Sequence, residues 1–199
     1  MRAKSWRRMT ERCGWRCGAP EPARSRTIGR MSSQAPTTEP RGRLLALTLT
    51  ALVILAADQV TKALVVANLE IGQQVPVIGD LVMIWHVQNR GAAFSLFQGA
   101  LPLMYLVTVL ALGMLVYFYR AFAHRGLWLH VLLGVILGGV IGNFVDRVRL
   151  GYVTDWLSMG IGDLRWPTYN VADASMFCGI GALVIYLTFF EPRQTEAHA

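Results

Sequence analysis

Four long apolar runs punctuate the chain, and the polar residues that interrupt or flank them fall into a few short blocks. The first run, residues 44–67 (LLALTLTALVILAADQVTKALVVA), exceeds the roughly 20 apolar residues that a bilayer crossing needs, with Asp58, Gln59 and Lys62 set into its second half. A cleaved signal peptide is the competing reading of this run, but three further runs follow it, which favours a retained helix. The second is 101–120, where Pro102 suits a first helical turn and Tyr117, Phe118 and Tyr119 suit a membrane interface. The third is 127–145, and its Gly134, Gly138 and Gly142 recur every four residues. Such small-xxx-small spacing lets two helices approach closely. The fourth is 174–190. Between the first two runs, VPVIGDLVMIWHVQ is β-branched and aromatic, which predicts a small strand pair. It leads into NRGAAFSLF, where Gly91 permits a tight backbone. The pattern predicts an all-α membrane protein with four transmembrane helices and one small β element.

Composition agrees with that pattern. Of 199 residues, 54% are hydrophobic and only 16% charged, with a mean hydropathy of +0.41, where soluble domains carry roughly 25% charged residues. The net charge of +7 is unevenly placed. Residues 1–43 hold eleven basic and three acidic residues, a net +8, and the rest of the chain is close to neutral. This arm is rich in Arg, Ser, Thr, Pro and Gly, lacks apolar periodicity, and reads as disordered. Met31 offers an alternative start that would leave 1–30 untranslated. A nucleic-acid role for the arm is set aside, because basic residues directly before an apolar span have a simpler use in orienting it. Arg30, Arg41 and Arg43, with Arg120, Arg125 and Arg193, then place both termini and the tail 191–199 on the cytoplasmic side. The two long loops fall on the outer side, and Asp58, Asp146, Asp155 and Asp173 converge near the outer face. Cys13, Cys17 and Cys178 form no disulfide framework, and Cys178, in an apolar run, reads as a packed small hydrophobe.

Candidate chemistry narrows by exclusion. His86, His124, His130 and His198 are scattered over different segments, with no H-E-x-x-H pattern. Ser95, Ser158 and Ser175 lack a G-x-S-x-G context and a base. What remains is aspartate. Two carboxylates held close share one proton, so one can act as base on a water and the other as acid toward a carbonyl. Asp155 in YVTDW and Asp173 in YNVAD are the candidates. The alternative for Asp173 is a helix cap, and for Asp155 an exposed loop carboxylate. Asn143, Asp146 and Arg147 stand at i, i+3 and i+4, one helical face; a helix-end ion pair is the alternative there. GIGD at 160–163 matches the Gly-x-Gly-Asp signature of presenilin-type proteases, but it lies in a polar loop, so Gly160 and Gly162 read as turn residues. A small transporter using Asp58 and Asp146 as intramembrane charges is the rival reading. A structural assembly subunit would explain the glycines but gives no reason for Asp155 and Asp173.

Five blocks carry a resemblance: DQVTK at 58–62, NRGAAF at 89–94, GGVIGNFVDR at 138–147, VTDW at 153–156 and WPTYNVAD at 166–173. In this order, across residues 44–190, the sequence resembles bacterial lipoprotein signal peptidase (signal peptidase II). The resemblance implies an aspartic intramembrane endopeptidase of four transmembrane helices with a small extracytoplasmic β-cradle. Such enzymes remove the signal peptide of a diacylglyceryl-modified prolipoprotein just before the lipidated Cys. By motif, Asp155 and Asp173 would be catalytic. Asn89, Gly91, Asn143, Arg147 and Asn170 would line the substrate pocket, and Asp58, Lys62 and Asp146 would support it. The resemblance implies no metal and no organic cofactor, inhibition by globomycin, and prolipoprotein and membrane lipid as partners. The protein would be a monomer in the cytoplasmic membrane with its site near the outer face. Residues 156–166 would form a surface-lying helix or half-helix. The family often has Phe where Trp156 and Tyr169 stand, and the arm before the first span is outside its pattern.

Overall fold

A computed structural model describes residues 40–91 and 100–190. Residues 1–39 of the expected arm, the end of the NRGAAFSLF stretch and the tail lie outside the described residues, while residues 40–43, expected as the end of the disordered arm, are the first turn of a helix. The element order is α1 (Pro40–Asn68), β1 (Gln74–Ile78), β2 (Val82–Asn89), α2 (Leu101–Ala121), α3 (Leu127–Leu150), β3 (Val153–Ile161), β4 (Leu164–Arg165) and α4 (Val171–Ile185), which continues as a π-helical turn over Tyr186–Phe190. Among the described residues, four helices are long and apolar enough to cross a membrane, so this is a multi-pass membrane protein.

α3 is the centre of the bundle. Its glycines set the packing, because a Cβ on Gly134 would come within 2.5 Å of the Leu47 carbonyl oxygen, and one on Gly138 within 2.7 Å of that of Ala51. The α1 backbone therefore lies directly on this face, as the four-residue spacing predicts. Gly139, on the neighbouring face, receives the Ala172 carbonyl and Ser175 of α4 at a similar distance. Leu129, Leu133, Ile136 and Val140 fill the core between these contacts, with Leu183 from α4. α2 stands at the periphery with most of its leucines and valines exposed, which costs nothing where the solvent is hydrocarbon.

The strands form one antiparallel sheet in the order β1-β2-β3-β4. β1 and β2 are the strand pair expected from sequence. β2 pairs next with β3, and the register shifts between Ile84 and Val87, so Trp85 and His86 together oppose Trp156. Bulges of this kind commonly re-aim side chains beside functional sites. Here the next pair after the bulge is Val87 with Asp155. The hairpin tips are tied together, since Asp80 accepts from the Gly162 N–H at 2.7 Å and pairs with Arg165 at 3.3 Å.

Three expectations are corrected. Residues 156–166 are mostly strand, not surface helix. Gly151, at φ +77, ends α3 with a left-handed cap, and the β-branched Val153 and Thr154 then enter an extended run that satisfies the open edge of β2. Gly160 is a strand residue, needed because a Cβ there would meet the Arg165 backbone at 2.5 Å, whereas Gly162 (φ +55) is the turn residue expected. Cys178 is exposed on α4, not packed. α3 and α4 also extend past their apolar runs, to Leu150 and back to Val171, for reasons that lie in the site itself.

Candidate active site

α3, β3 and the start of α4 meet at one edge of the bundle. The segment before α4 runs antiparallel to β3, with the Tyr169 N–H donating to the Leu157 carbonyl (3.0 Å) and the Leu157 N–H to that of Tyr169 (2.8 Å). This sets Asn170 beside Asp155. Asn170 is the N-cap of α4, and Asp173 closes a capping box with it. The Asp173 N–H donates to Asn170 Oδ1 at 2.9 Å, and the Asn170 N–H returns to Asp173 Oδ2 at 3.3 Å. The cap alternative for Asp173 is thus realised, and it leaves Oδ1 of that carboxylate turned elsewhere.

That oxygen accepts from Asn143 Nδ2 at 2.7 Å. Asn170 Nδ2 donates to Asp155 Oδ1 (2.7 Å) and to Asn143 Oδ1 (3.2 Å). Asn89, from the end of β2, donates to Asp155 Oδ2 at 2.9 Å. Asn170 therefore links the two carboxylates, its side chain donating to that of Asp155 and its backbone N–H to that of Asp173. Asp155 is almost fully buried, at 2% exposure, while Asp173 is half-buried, so the pair is open on one side. Among the described residues neither carboxylate forms a salt bridge. Burial, followed by the charge of Asp173, pushes Asp155 up to about 7, against the lowering effect of its bonds from Asn89 and Asn170 and of the Lys62 charge. A carboxyl in that state is equipped to share a proton with its neighbour near neutral pH. Arg147 lies alongside, donating to the Asn143 carbonyl (3.2 Å) and the Gly91 carbonyl (3.3 Å), and the Gly91 N–H donates to Asn89 Oδ1 at 3.0 Å.

Beneath this pair lies a second one. Lys62 contacts Asp58 at 2.7 Å and Asp146 at 3.0 Å, all three buried. Gln59 Nε2 donates to the same two carboxylates, at 3.2 and 2.9 Å. These inward bonds satisfy the polar residues of α3 within the bundle, so the helix continues beyond its apolar run instead of ending there.

All the residues singled out in the sequence enter this network: Asn89, Gly91, Asn143, Arg147, Asp155, Asn170 and Asp173 above, with Asp58, Lys62 and Asp146 below. Asp163 sits exposed in the β3–β4 turn. His86 and His130 stay out of the network, with Nδ1 on the carbonyls of Leu69 and Gly126 respectively. Asp58 and Asp146 are ion-paired and buried, so they offer no open path for a transported solute. Gln59 was missed as a site residue. Its position beside Asp58, inside the same polar break of an apolar run, was the available signal. Tyr169 finds a partner for its hydroxyl, which donates to Met159 Sδ at 2.8 Å.

Four membrane-crossing helices with a two-carboxylate centre at the edge of the bundle define a membrane-embedded enzyme of the aspartic type. Comparison with known proteins makes the assignment specific. The chain belongs to the signal peptidase II family, whose model matches residues 50–189. It is 36% identical over 148 residues to a lipoprotein signal peptidase of Bacillus velezensis, covering 74% of this chain and 97% of that one. It is 38% identical over 145 residues to a lipoprotein signal peptidase of Listeria monocytogenes, covering 73% and 94%. Among solved structures, a bacterial membrane enzyme determined by the in meso method at 2.3 Å resolution superposes with a TM-score of 0.69 at 30% identity, over 77% of this chain and 93% of that one.

Proposed function

We propose that the protein is an aspartic endopeptidase that removes the signal peptide of diacylglyceryl-modified prolipoproteins, cutting just before the lipidated Cys, with Asp155 and Asp173 as the catalytic pair. The observation that carries this reading is the aspartate pair linked by Asn170 and held, among the described residues, by amide donors alone. The pair shares one proton. The ionised member takes a proton from a water held between them, and that water attacks the carbonyl preceding the Cys. The protonated member donates to the carbonyl oxygen. Collapse of the tetrahedral intermediate delivers a proton to the leaving amine and restores the shared state. Asn89, Gly91, Asn143, Arg147 and Asn170 position the substrate backbone around the pair. Arg147 supplies positive charge beside the developing oxyanion without neutralising either aspartate.

On this reading both termini are cytoplasmic and the site faces the outer leaflet, with the sheet as the extracytoplasmic cradle. The diacylglyceryl chains remain in the bilayer against the exposed apolar helix faces, and a single copy of the chain is sufficient. The test is cleavage of a diacylglyceryl-modified prolipoprotein peptide by purified protein in detergent, read by mass spectrometry with a chelator present. Cutting before the lipidated Cys by wild type, and not by Asp173→Asn, is the expected result. No cutting by folded wild type overturns the assignment.

A further inference from the structure

The buried cluster beneath the aspartate pair has a pattern of bonds that salt-bridging alone does not require. Asp58 Oδ1 accepts from the Ala172 N–H at 2.9 Å, and Asp146 Oδ2 accepts from the Thr154 N–H at 3.2 Å. Ala172 is the residue before Asp173, and Thr154 is the residue before Asp155. Each carboxylate of the lower pair thus holds the backbone from which one member of the upper pair projects. Lys62 stands between the two holding carboxylates, so it sets their separation. An ammonium has three hydrogens to donate, and the third goes to Asn143 Oδ1 at 3.1 Å.

That third bond fixes the sense of the Asn143 amide. Lys62 can only donate, so the atom facing it must be the carbonyl oxygen, and the amino group must point the other way, at Asp173 Oδ1. A reversed amide would set NH₂ against NH₃⁺ and oxygen against carboxylate. The same oxygen also receives Asn170 Nδ2, which links the arrangement to Asp155. All these groups are buried except Asp173, so water offers little alternative partner.

We infer that Lys62 is a positioning residue for peptide cleavage: through Asp58, Asp146 and Asn143 it fixes both the spacing of Asp155 and Asp173 and the orientation of the amide that binds Asp173. This rests on the reading of Asp155 and Asp173 as the catalytic pair. Lys62 is buried below the pair, so its loss acts chiefly on turnover, with a smaller effect on binding through Asn143.

The test is steady-state cleavage of the diacylglyceryl-modified peptide by full-length protein in detergent, comparing wild type, Lys62→Met and the charge-balanced double variant Lys62→Met/Asp58→Asn. Wild-type activity in the same assay tests the functional reading separately. Lys62→Met leaves two buried carboxylates without their cation and is expected to lower the thermal midpoint. The double variant returns the cluster to the wild-type excess of one carboxylate over cations and is expected to recover the midpoint while kcat stays at least about 100-fold down, within the range of a positioning loss, with KM within about threefold of wild type. The alkaline limb of kcat should move to higher pH in Lys62→Met. Without the Lys62 charge, the titrating carboxyls face Asp58, Asp146 and each other with Arg147 as the remaining cation interacting with them among the described residues, so their proton is held more firmly. Recovery of kcat together with the midpoint in the double variant would make Lys62 a counter-ion only and overturn the proposal. A double variant that does not fold would assign Lys62 to folding and overturn it equally.

Discussion

The molecule holds two pairs of aspartates, one above the other, and their surroundings differ in kind. Asp58 and Asp146 share Lys62 and Gln59, and each also takes a backbone N–H. Each of their four carboxylate oxygens accepts at least one of these bonds, and the charges are matched as far as one cation allows. Asp155 and Asp173 are held by asparagine amides and one backbone N–H, with no cation in bonding contact among the described residues. Amide donors fix where a carboxylate points but do not cancel its charge, so burial and mutual repulsion are left to hold a proton on the pair. The contrast shows how one bundle edge keeps two acidic pairs distinct: a lysine in direct contact pairs with one, while in the other amide donors leave Asp155 raised to about 7.

The largest effect that should separate the pairs is on turnover. Asp155→Asn should lower kcat by about 10⁴-fold, the upper end of general acid–base contributions, with no loss of thermal stability, because the replaced group is one that burial already disfavours in its charged form. If Asp155→Asn instead unfolds the protein at full specific activity of the remainder, the pairs have been assigned the wrong way round. The lower pair should show the converse. Lys62→Met should cost about 3–5 kcal/mol of stability, as expected when a buried ion loses its partner, measured by thermal unfolding in detergent. Gly142→Ala probes the joint between the pairs, since its Cβ would press on Asp58 Oδ2 from 2.6 Å. It should cost about 1–3 kcal/mol and reduce turnover, whereas Gly113→Ala in α2, which would meet nothing within 4 Å, should leave both unchanged.

pH sharpens the comparison further. Asp155 is raised to about 7, so between its ordinary value near 4 and about 7 the folded chain holds a proton that the unfolded chain has released. Stability should therefore fall as pH rises through that window. Turnover should fall about tenfold per unit above it as the shared proton is lost, measured as kcat against pH. The smallest effect expected is that of Tyr169→Phe, which removes a bond to Met159 at the rim and should change stability by less than about 1 kcal/mol with kcat intact.

The four spans were legible because length and hydropathy suffice to identify a bilayer crossing, and the glycine face of α3 because close helix approach needs small residues at that spacing. The ends of α3 and α4 were not. α3 runs on through Asp146 and Arg147 because their partners come from α1, β3 and the segment after β2. α4 starts early because Asn170 and Asp173 cap each other. The strand at 153–161 was missed for a related reason, since it depends on pairing with β2, some 70 residues earlier. The resemblance named the residues that converge, and the residues themselves explained why Asp155 and Asp173 could act together. Neither disclosed that Asp58 and Asp146 hold the backbone just before them, or that Gln59 ties the lower pair. Those contacts depend on how α1 is rotated against α3, which no pattern within one segment encodes.

The most direct measurement is infrared difference spectroscopy of the protein in detergent, wild type minus Asp155→Asn and wild type minus Asp58→Asn, between about pH 4 and 8. The account predicts a protonated-carboxyl band in wild type that Asp155→Asn removes and that fades as pH rises through about 7. Asp58→Asn should leave that band in place. A protonated band absent throughout, or one lost with Asp58 and retained without Asp155, would contradict it.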